Sequence, residues 1–77
     1  MSVKVKLFAS MREYLNLSET EVAIDNLETV ADVWQAVAGD KPMPDNTLCA
    51  VNLQHANDAA AVSDGDEVAF FPPVTGG

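Results

Sequence analysis

The group in this sequence with the clearest potential for chemistry is the carboxylate at its C-terminal end, on Gly77. Gly76 precedes it, so the end carries no side chain and would fit a channel too narrow for a Cβ atom. Pro72 and Pro73 favour an extended base for this segment. The four residues after Pro73 span up to about 13–14 Å, at roughly 3.3–3.6 Å each. This tail is long enough to bring a carboxylate into the active site of another protein.

A glycine-containing end is also a common finish for a domain whose terminus has no chemical role. The residue types of the tail therefore leave two interpretations open: either the tail delivers its carboxylate to the active site of a partner, or the end has no chemical role. Three acidic residues near the tail, Asp64, Asp66 and Glu67, lack the further ligands of a calcium loop at the required spacing, and Asp64-Gly65 predicts a tight turn instead. No metal site is expected.

The remaining reactive side chains are isolated. His55 is the only histidine and has no recognisable nucleophile beside it, so a surface or interface position is expected. Cys49, the only cysteine, lies among apolar residues and is interpreted as a packed thiol with no partner for an internal disulfide. Trp34 falls on an apolar helical stripe and is expected in the core. Arg12-Glu13 fits either a local surface pair or part of a docking surface.

The elements that position these groups follow from hydrophobic periodicity. Alternation of apolar and polar residues predicts strands, and the segment 54–62 gives no firm period. The strands are expected over residues 3–8, 19–24, 48–53 and 67–71. A short helical turn is expected over 10–15, with Ser10 as a candidate N-cap.

The main helix has the clearest pattern. Val30, Val33, Trp34 and Val37 recur at the spacing of one helical face. Thr29 is the expected N-cap, with Asp32 in the first turn to complement the helix dipole. Gly39 is expected to end the helix with a left-handed conformation. Four strands and one main helix predict an α+β fold in which the helix covers one face of a mixed sheet.

Length and composition exclude several classes of function. The 77 residues form one domain, and a hydrophobic fraction of 48% is enough for a compact core. Twelve acidic against four basic residues give a net charge of −8, which disfavours nucleic acid and anionic membrane surfaces. It favours a partner with a basic docking surface, although acidity also serves solubility alone. No targeting segment or membrane span is recognised, and a cytoplasmic location is expected.

The last strand predicts where a partner would dock. Glu67 marks the solvent face of this strand, so Phe71 is expected on the open face and Phe70 in the core. Phe8 is placed on the open face by the lysines that precede it. Two exposed phenylalanines close to the tail form a plausible interface anchor, since aromatic residues dominate binding hot spots. The alternative is that loops bury both rings.

Three strings in the sequence are distinctive: residues 63–77, SDGDEVAFFPPVTGG; residues 8–13, FASMRE; and residues 50–52, AVN. They resemble, in that order, the C-terminal motif, the F-A-x-x-R-E motif and the third-strand motif of a known family, the small sulfur-carrier subunits of molybdopterin synthase. The resemblance spans the chain and is weakest between residues 39 and 47. It implies a ubiquitin-like β-grasp domain over 1–71 and a flexible Gly-Gly tail over 72–77.

The resemblance also implies a chemical role. An E1-like adenylating enzyme would use ATP to activate the Gly77 carboxylate, and sulfur would then replace AMP to leave a thiocarboxylate. Val74, Thr75 and Gly76 would enter the active site of the large catalytic subunit of the synthase. There Gly77 would give its sulfur to cyclic pyranopterin monophosphate to build the molybdopterin dithiolene. The chain would bind no cofactor itself and would act as the sulfur-donating, non-catalytic subunit of a heterotetramer.

Two related functions stay open from the sequence. One is a sulfur carrier of the thiamine type, although such carriers are typically shorter and lack the Phe-Phe-Pro-Pro-Val-Thr run. The other is a ubiquitin-like modifier whose Gly77 forms an isopeptide bond with a lysine of a target. A third possibility of a different class is an interaction module with an unreactive end.

Overall fold

The computed structural model describes residues 1–73, which form a five-stranded sheet and two helices. The strands are β1 (Ser2–Leu7), β2 (Glu19–Ala23), β3 (Leu48–Val51), β4 (Gln54–Ala56) and β5 (Glu67–Phe71). The helices are α1 (Ser10–Leu15) and α2 (Val30–Ala38). The sheet order is β2-β1-β5-β3-β4, and the sheet is mixed because β1 and β5 run parallel while the other neighbours are antiparallel. The predicted α+β class with a mixed sheet is confirmed.

The core lies between the sheet and α2. Alternate residues of β1 and β5 point into it, and Val5, Val68 and Phe70 are fully buried. The Trp34 indole packs edge-on against the Phe70 ring, with centroids 5.1 Å apart, and its Nε1–H donates to the Lys41 carbonyl oxygen at 2.9 Å. The expectation that Trp34 belongs to the core is confirmed. This packing fixes the central strand β5 against the helix.

Helix α2 begins and ends where its sequence predicts. The backbone N–H of Asp32 donates to Thr29 Oγ1 at 3.3 Å, and the Asp32 carboxylate accepts from the N–H of Thr29 in return. This reciprocal capping box satisfies donors that the first turn would otherwise leave open. The helix ends at Gly39, whose φ of 65° is positive as expected, although its ψ of −121° lies outside the left-handed helical well.

The predicted third strand is too long. It ends at Val51 instead of Leu53, because Asn52 and Leu53 form the turn of a β-hairpin that leads into β4. Both turn residues have positive φ values, 52° and 70°, as a two-residue type I′ turn requires. Strand β4 is a three-residue edge strand and lies in the segment that gave no periodicity.

The prediction of Ser10 as the N-cap of α1 is also wrong. Ser10 is the first helical residue, and Ala9 occupies the N-cap position with no side-chain hydrogen bond to the helix. The chain turns sharply at Ala9, where φ is 52°, to leave β1 and enter the helix. The helix itself covers the predicted residues.

The turn before β5 is held by Asp66. Its Oδ2 accepts from the backbone N–H of Ser63 at 2.8 Å, and its Oδ1 accepts from Asn52 Nδ2 at 3.0 Å. The Asn52 side chain in turn accepts from the N–H of Glu67 at 3.0 Å. These bonds join the hairpin turn to the start of β5, and the turn predicted at Asp64-Gly65 is present. None of the helices in residues 1–73 is long and apolar enough to cross a bilayer.

Candidate functional site: the open sheet face and the base of the tail

The tail starts from the middle of the sheet. Strand β5 lies between β1 and β3, and its last residue, Phe71, is followed by Pro72 and Pro73, which continue no strand. A central strand is held by hydrogen bonds on both sides, so the point at which the tail begins is fixed relative to the whole domain. The predicted site residues Val74, Thr75, Gly76 and Gly77 lie outside the described residues.

The two phenylalanines predicted for the interface lie on the open face. Phe8 is 47% exposed, and its backbone N–H donates to the Phe70 carbonyl oxygen at 3.1 Å, which extends the pairing of β1 with β5 by one residue. Phe71 also faces away from the core but is only partly exposed. Phe70 is fully buried, as predicted. The alternation along β5 is therefore confirmed, whereas contact with a partner stays a prediction.

Phe71 is partly covered by a residue that the sequence did not link to it. His55, on the edge strand β4, packs edge-on against the Phe71 ring with centroids 5.9 Å apart and planes at 70°. The imidazole itself is exposed, which agrees with the expected surface position. The sequence could not reveal this contact because it depends on the hairpin and on the β3–β5 register.

The open face divides into two parts. The apolar half lies over β5, β3 and β4, with Phe8 beside them at the end of β1, and it ends at the base of the tail; it consists of Phe8, Leu48, Ala50, His55, Ala69 and Phe71. The charged half lies over β1, β2 and the start of β5, and it consists of Lys4, Lys6, Glu19, Glu21 and Glu67. In the charged half the lysines stand opposite glutamates across the strands, and Lys6 Nζ lies 3.5 Å from Glu67 Oε1. The apolar half is therefore the surface suited to burial against another protein.

Cys49 belongs to the opposite face of β3 and is 3% exposed. Burial, with the negative charge of Asp58 as a second cause, raises the pKa of this thiol above its ordinary value. A thiol with a raised pKa holds little of the reactive thiolate. The interpretation of Cys49 as a packed residue is confirmed.

Comparison with known proteins agrees with this arrangement. The model of the ThiS family matches residues 5–77. The chain belongs to the ThiS family. It is 38% identical over 84 aligned residues to the molybdopterin synthase sulfur carrier subunit of Escherichia coli K12, with 97% of this chain and 99% of that protein covered.

Two further likenesses extend the comparison. This ThiS-family chain is 32% identical to small archaeal modifier protein 1 of Haloferax volcanii, covering 94% of this chain and 97% of that protein. The crystal structure of that modifier superposes with a TM-score of 0.81, at 31% identity over all of both chains. A complex of subunits 1 and 2 of the molybdopterin-converting factor from Helicobacter pylori contains the same fold, with a TM-score of 0.65 and 22% identity over all of both chains. The predicted ubiquitin-like β-grasp fold is confirmed.

Proposed function

We propose that this chain is the sulfur-carrier subunit of a molybdopterin synthase and that Gly77 carries the sulfur as a C-terminal thiocarboxylate. The observation that supports the proposal most strongly is the end-to-end similarity to the Escherichia coli sulfur carrier subunit, which covers 99% of that protein. The same role would explain why two prolines and a Gly-Gly segment follow the central strand of the sheet in the sequence.

The first step is activation of a poor electrophile. A free α-carboxyl group is ionised at neutral pH, and its delocalised charge resists attack by a nucleophile. In the proposed step a carboxylate oxygen of Gly77 attacks the α-phosphorus of ATP in an E1-like adenylating enzyme and expels pyrophosphate. A sulfur nucleophile at the oxidation level of hydrosulfide then attacks the acyl carbon of the adenylate, which forms the C–S bond, breaks the C–O bond to AMP and releases AMP and a proton. The thiocarboxylate that results stays anionic at neutral pH and is a sulfur nucleophile.

The second step is delivery. The large catalytic subunit would bind the apolar half of the open face, with Phe8 and Phe71 as anchors, and receive residues 74–77 in its active site. Because Phe71 and the start of the tail belong to one central strand, docking of the face fixes where the tail enters. Holding reacting groups in line in this way lowers the barrier by several kcal/mol. The sulfur acceptor would be cyclic pyranopterin monophosphate.

Removal of Gly77 tests this assignment. The shortened protein should unfold at the same denaturant concentration as the intact protein but form no thiocarboxylate and transfer no sulfur in a reconstituted synthase assay. A matched control is Leu53→Ala, which alters an exposed residue in the hairpin turn at the end of the sheet away from the tail. This control should keep full transfer. Sulfur transfer by the shortened protein would rule the mechanism out.

A second function is favoured by the similarity to small archaeal modifier protein 1. In this role the activated Gly77 carboxyl would be attacked by a lysine amine of a target protein, which would form an isopeptide bond and release AMP. Both roles share the adenylation step, so they need not exclude each other. Conjugates of higher mass in the native cell, absent when Gly77 is deleted, would establish the modifier role.

A further inference from the structure

A groove of about 480 Å³ lies at the β4 edge of the sheet, beside the apolar half of the open face. One wall is the loop that leads into β3, and the other is the end of β4 with the turn that follows; together they comprise residues 43–49 and 56–58. Leu48 lines the groove and also belongs to the apolar half. Because Leu48 pairs with Phe71 across the strands, the groove lies at the end of the sheet from which the tail leaves. It therefore continues the surface on which a partner would dock.

The groove combines an apolar floor with an acidic rim. The side chains of Met43, Leu48 and Ala56 are half-buried, and Cys49 beside them is buried. Two exposed carboxylates form the rim, Asp45 on one wall and Asp58 on the other. The negative charge of Asp58 contributes to the raised pKa of the Cys49 thiol, so this carboxylate lies near the floor.

The chain itself does not neutralise the rim. Within residues 1–73 the one ion pair joins Lys6 to Glu67, so neither rim carboxylate has such a partner there. Lys41 is the basic residue nearest to Asp45 in the sequence, but its Nζ donates to the Tyr14 carbonyl oxygen at 2.7 Å and lies over the Tyr14 ring. The two carboxylates are therefore available to a cation from another molecule.

We propose that this groove receives an arginine side chain of the protein that docks on the open face, with the guanidinium between Asp45 and Asp58. The inference rests on the proposed function, because the groove adjoins the surface assigned to the large subunit. It adds a charged contact to the apolar contacts that Phe8 and Phe71 would make.

The chemistry of the groove favours arginine over other occupants. The aliphatic part of a long basic side chain packs on apolar surface while its charged head stays at the rim. A guanidinium has five N–H donors and can serve two carboxylates at once, whereas a lysine ammonium is a compact, strongly hydrated charge. Arginine is also enriched in protein interfaces, and lysine is depleted there.

The distribution of charge over the chain points to the same place. A net charge of −8 favours a partner with basic residues. The charged half of the open face is less suited to receive them, because its lysines already stand opposite glutamates across the strands. The groove, with two carboxylates and no lysine in its lining, gives the basic residue of the partner a specific position.

The test is the affinity of the full chain for the large subunit, measured by calorimetry. Asp45→Asn and Asp58→Asn should each bind about tenfold more weakly, since each loses a hydrogen bond to a charged group. Asp58→Lys should bind at least about a hundredfold more weakly, because like charges would then meet in the groove.

The matched controls are Asp25→Asn and Asp25→Lys, which change the net charge of the chain by the same amounts. Asp25 is exposed and follows β2, whose last residue, Ala23, pairs with Ser2 at the end of the sheet away from the tail. A charge outside the interface is screened by salt, so both controls should bind within about twofold of the wild type. Trp34 fluorescence shows whether each variant is folded.

A compensating change identifies the occupant of the groove. Each arginine of the large subunit is changed in turn to glutamate and tested against Asp58→Lys. One of these changes should restore at least about tenfold of the lost affinity, because opposite charges would again face each other. The same change should weaken binding of the wild-type chain.

The outcomes separate this inference from the function on which it rests. Wild-type affinity in Asp45→Asn and Asp58→Asn, with weakened binding by Phe71→Ala, would overturn the groove assignment and leave the sulfur-carrier proposal intact. The assignment would also fail if no arginine change rescued Asp58→Lys, or if the isolated chain self-associated and Asp58→Lys abolished this, since the occupant would then be a second copy. Failure of the wild type to bind the large subunit at all would remove the proposed function, and this inference with it.

Discussion

Adjacent phenylalanines on β5 are expected to respond to truncation in opposite ways. Phe70 is fully buried and packs against Trp34, so Phe70→Ala should destabilise the fold by about 3–5 kcal/mol. A domain of this size has roughly that much stability in total, so this variant should be largely unfolded. Phe71 faces the open side, and its main aromatic contact is with the exposed His55 ring. Phe71→Ala should therefore cost only about 1 kcal/mol.

Binding should show the reverse pattern. If Phe71 is an anchor for the large subunit, its truncation should reduce affinity by at least about 2 kcal/mol, which is roughly thirtyfold. Urea unfolding followed through Trp34, the only tryptophan, measures stability, and calorimetry with the large subunit measures affinity. The buried position of Trp34 makes its emission a direct report of core exposure.

A large loss of stability in Phe71→Ala would contradict the surface role of this ring, since it would mean that the ring supports the core. Unchanged affinity in a folded Phe71→Ala protein would also contradict that role, since the partner would then dock elsewhere. Phe8→Ala serves as the companion variant: this ring is 47% exposed, so its truncation should leave stability nearly unchanged and also weaken binding.

Three more predictions concern the scaffold. Hydrogen bonds from the backbone N–H groups of Glu28 and Thr29 hold the pKa of Asp32 below its ordinary value of 3.8. The stability that these bonds contribute is therefore present above pH 3.8 and is lost as the pH falls through the lowered pKa. Urea unfolding should show that Asp32→Asn is less stable than the wild type at neutral pH and that the difference in stability disappears in acid. Cys49 should react with iodoacetamide at pH 8 far more slowly in the folded protein than in urea. Leu53→Gly should raise the free energy of unfolding by about 0.5–1 kcal/mol, because φ at this position is 70°, whereas Leu53→Ala should not.

Much of the fold could be predicted because local pattern and tertiary packing agree. The apolar stripe of α2 and its Thr29 cap identify the helix, since the same residues that favour the helix also face the core. Alternation along β5 separates Phe70 from Phe71 because one face of the sheet is covered and the other is open. The prolines that follow β5 in the sequence predict where this strand ends, and that prediction needs no tertiary information.

The predictions that failed depend on backbone conformations that a residue pattern does not encode. Leucine is a poor residue for a positive φ, so Asn52-Leu53 carries no strong turn signal, and the residue pattern predicts a strand that continues through it. Ala9 occupies the cap position without a capping side chain, whereas residue preference favours its neighbour Ser10 as the cap. The contact of His55 with Phe71 requires a strand order and register that single-strand patterns do not contain.

The most direct test of the central claim is the intact mass of the protein purified from its native cell. We predict a fraction heavier by the difference between one sulfur and one oxygen, with fragmentation placing the change at Gly77. This fraction should disappear when the adenylating enzyme is deleted. A terminus that carries only oxygen under conditions of active cofactor synthesis, or one that is permanently blocked, would contradict the proposal that Gly77 carries sulfur.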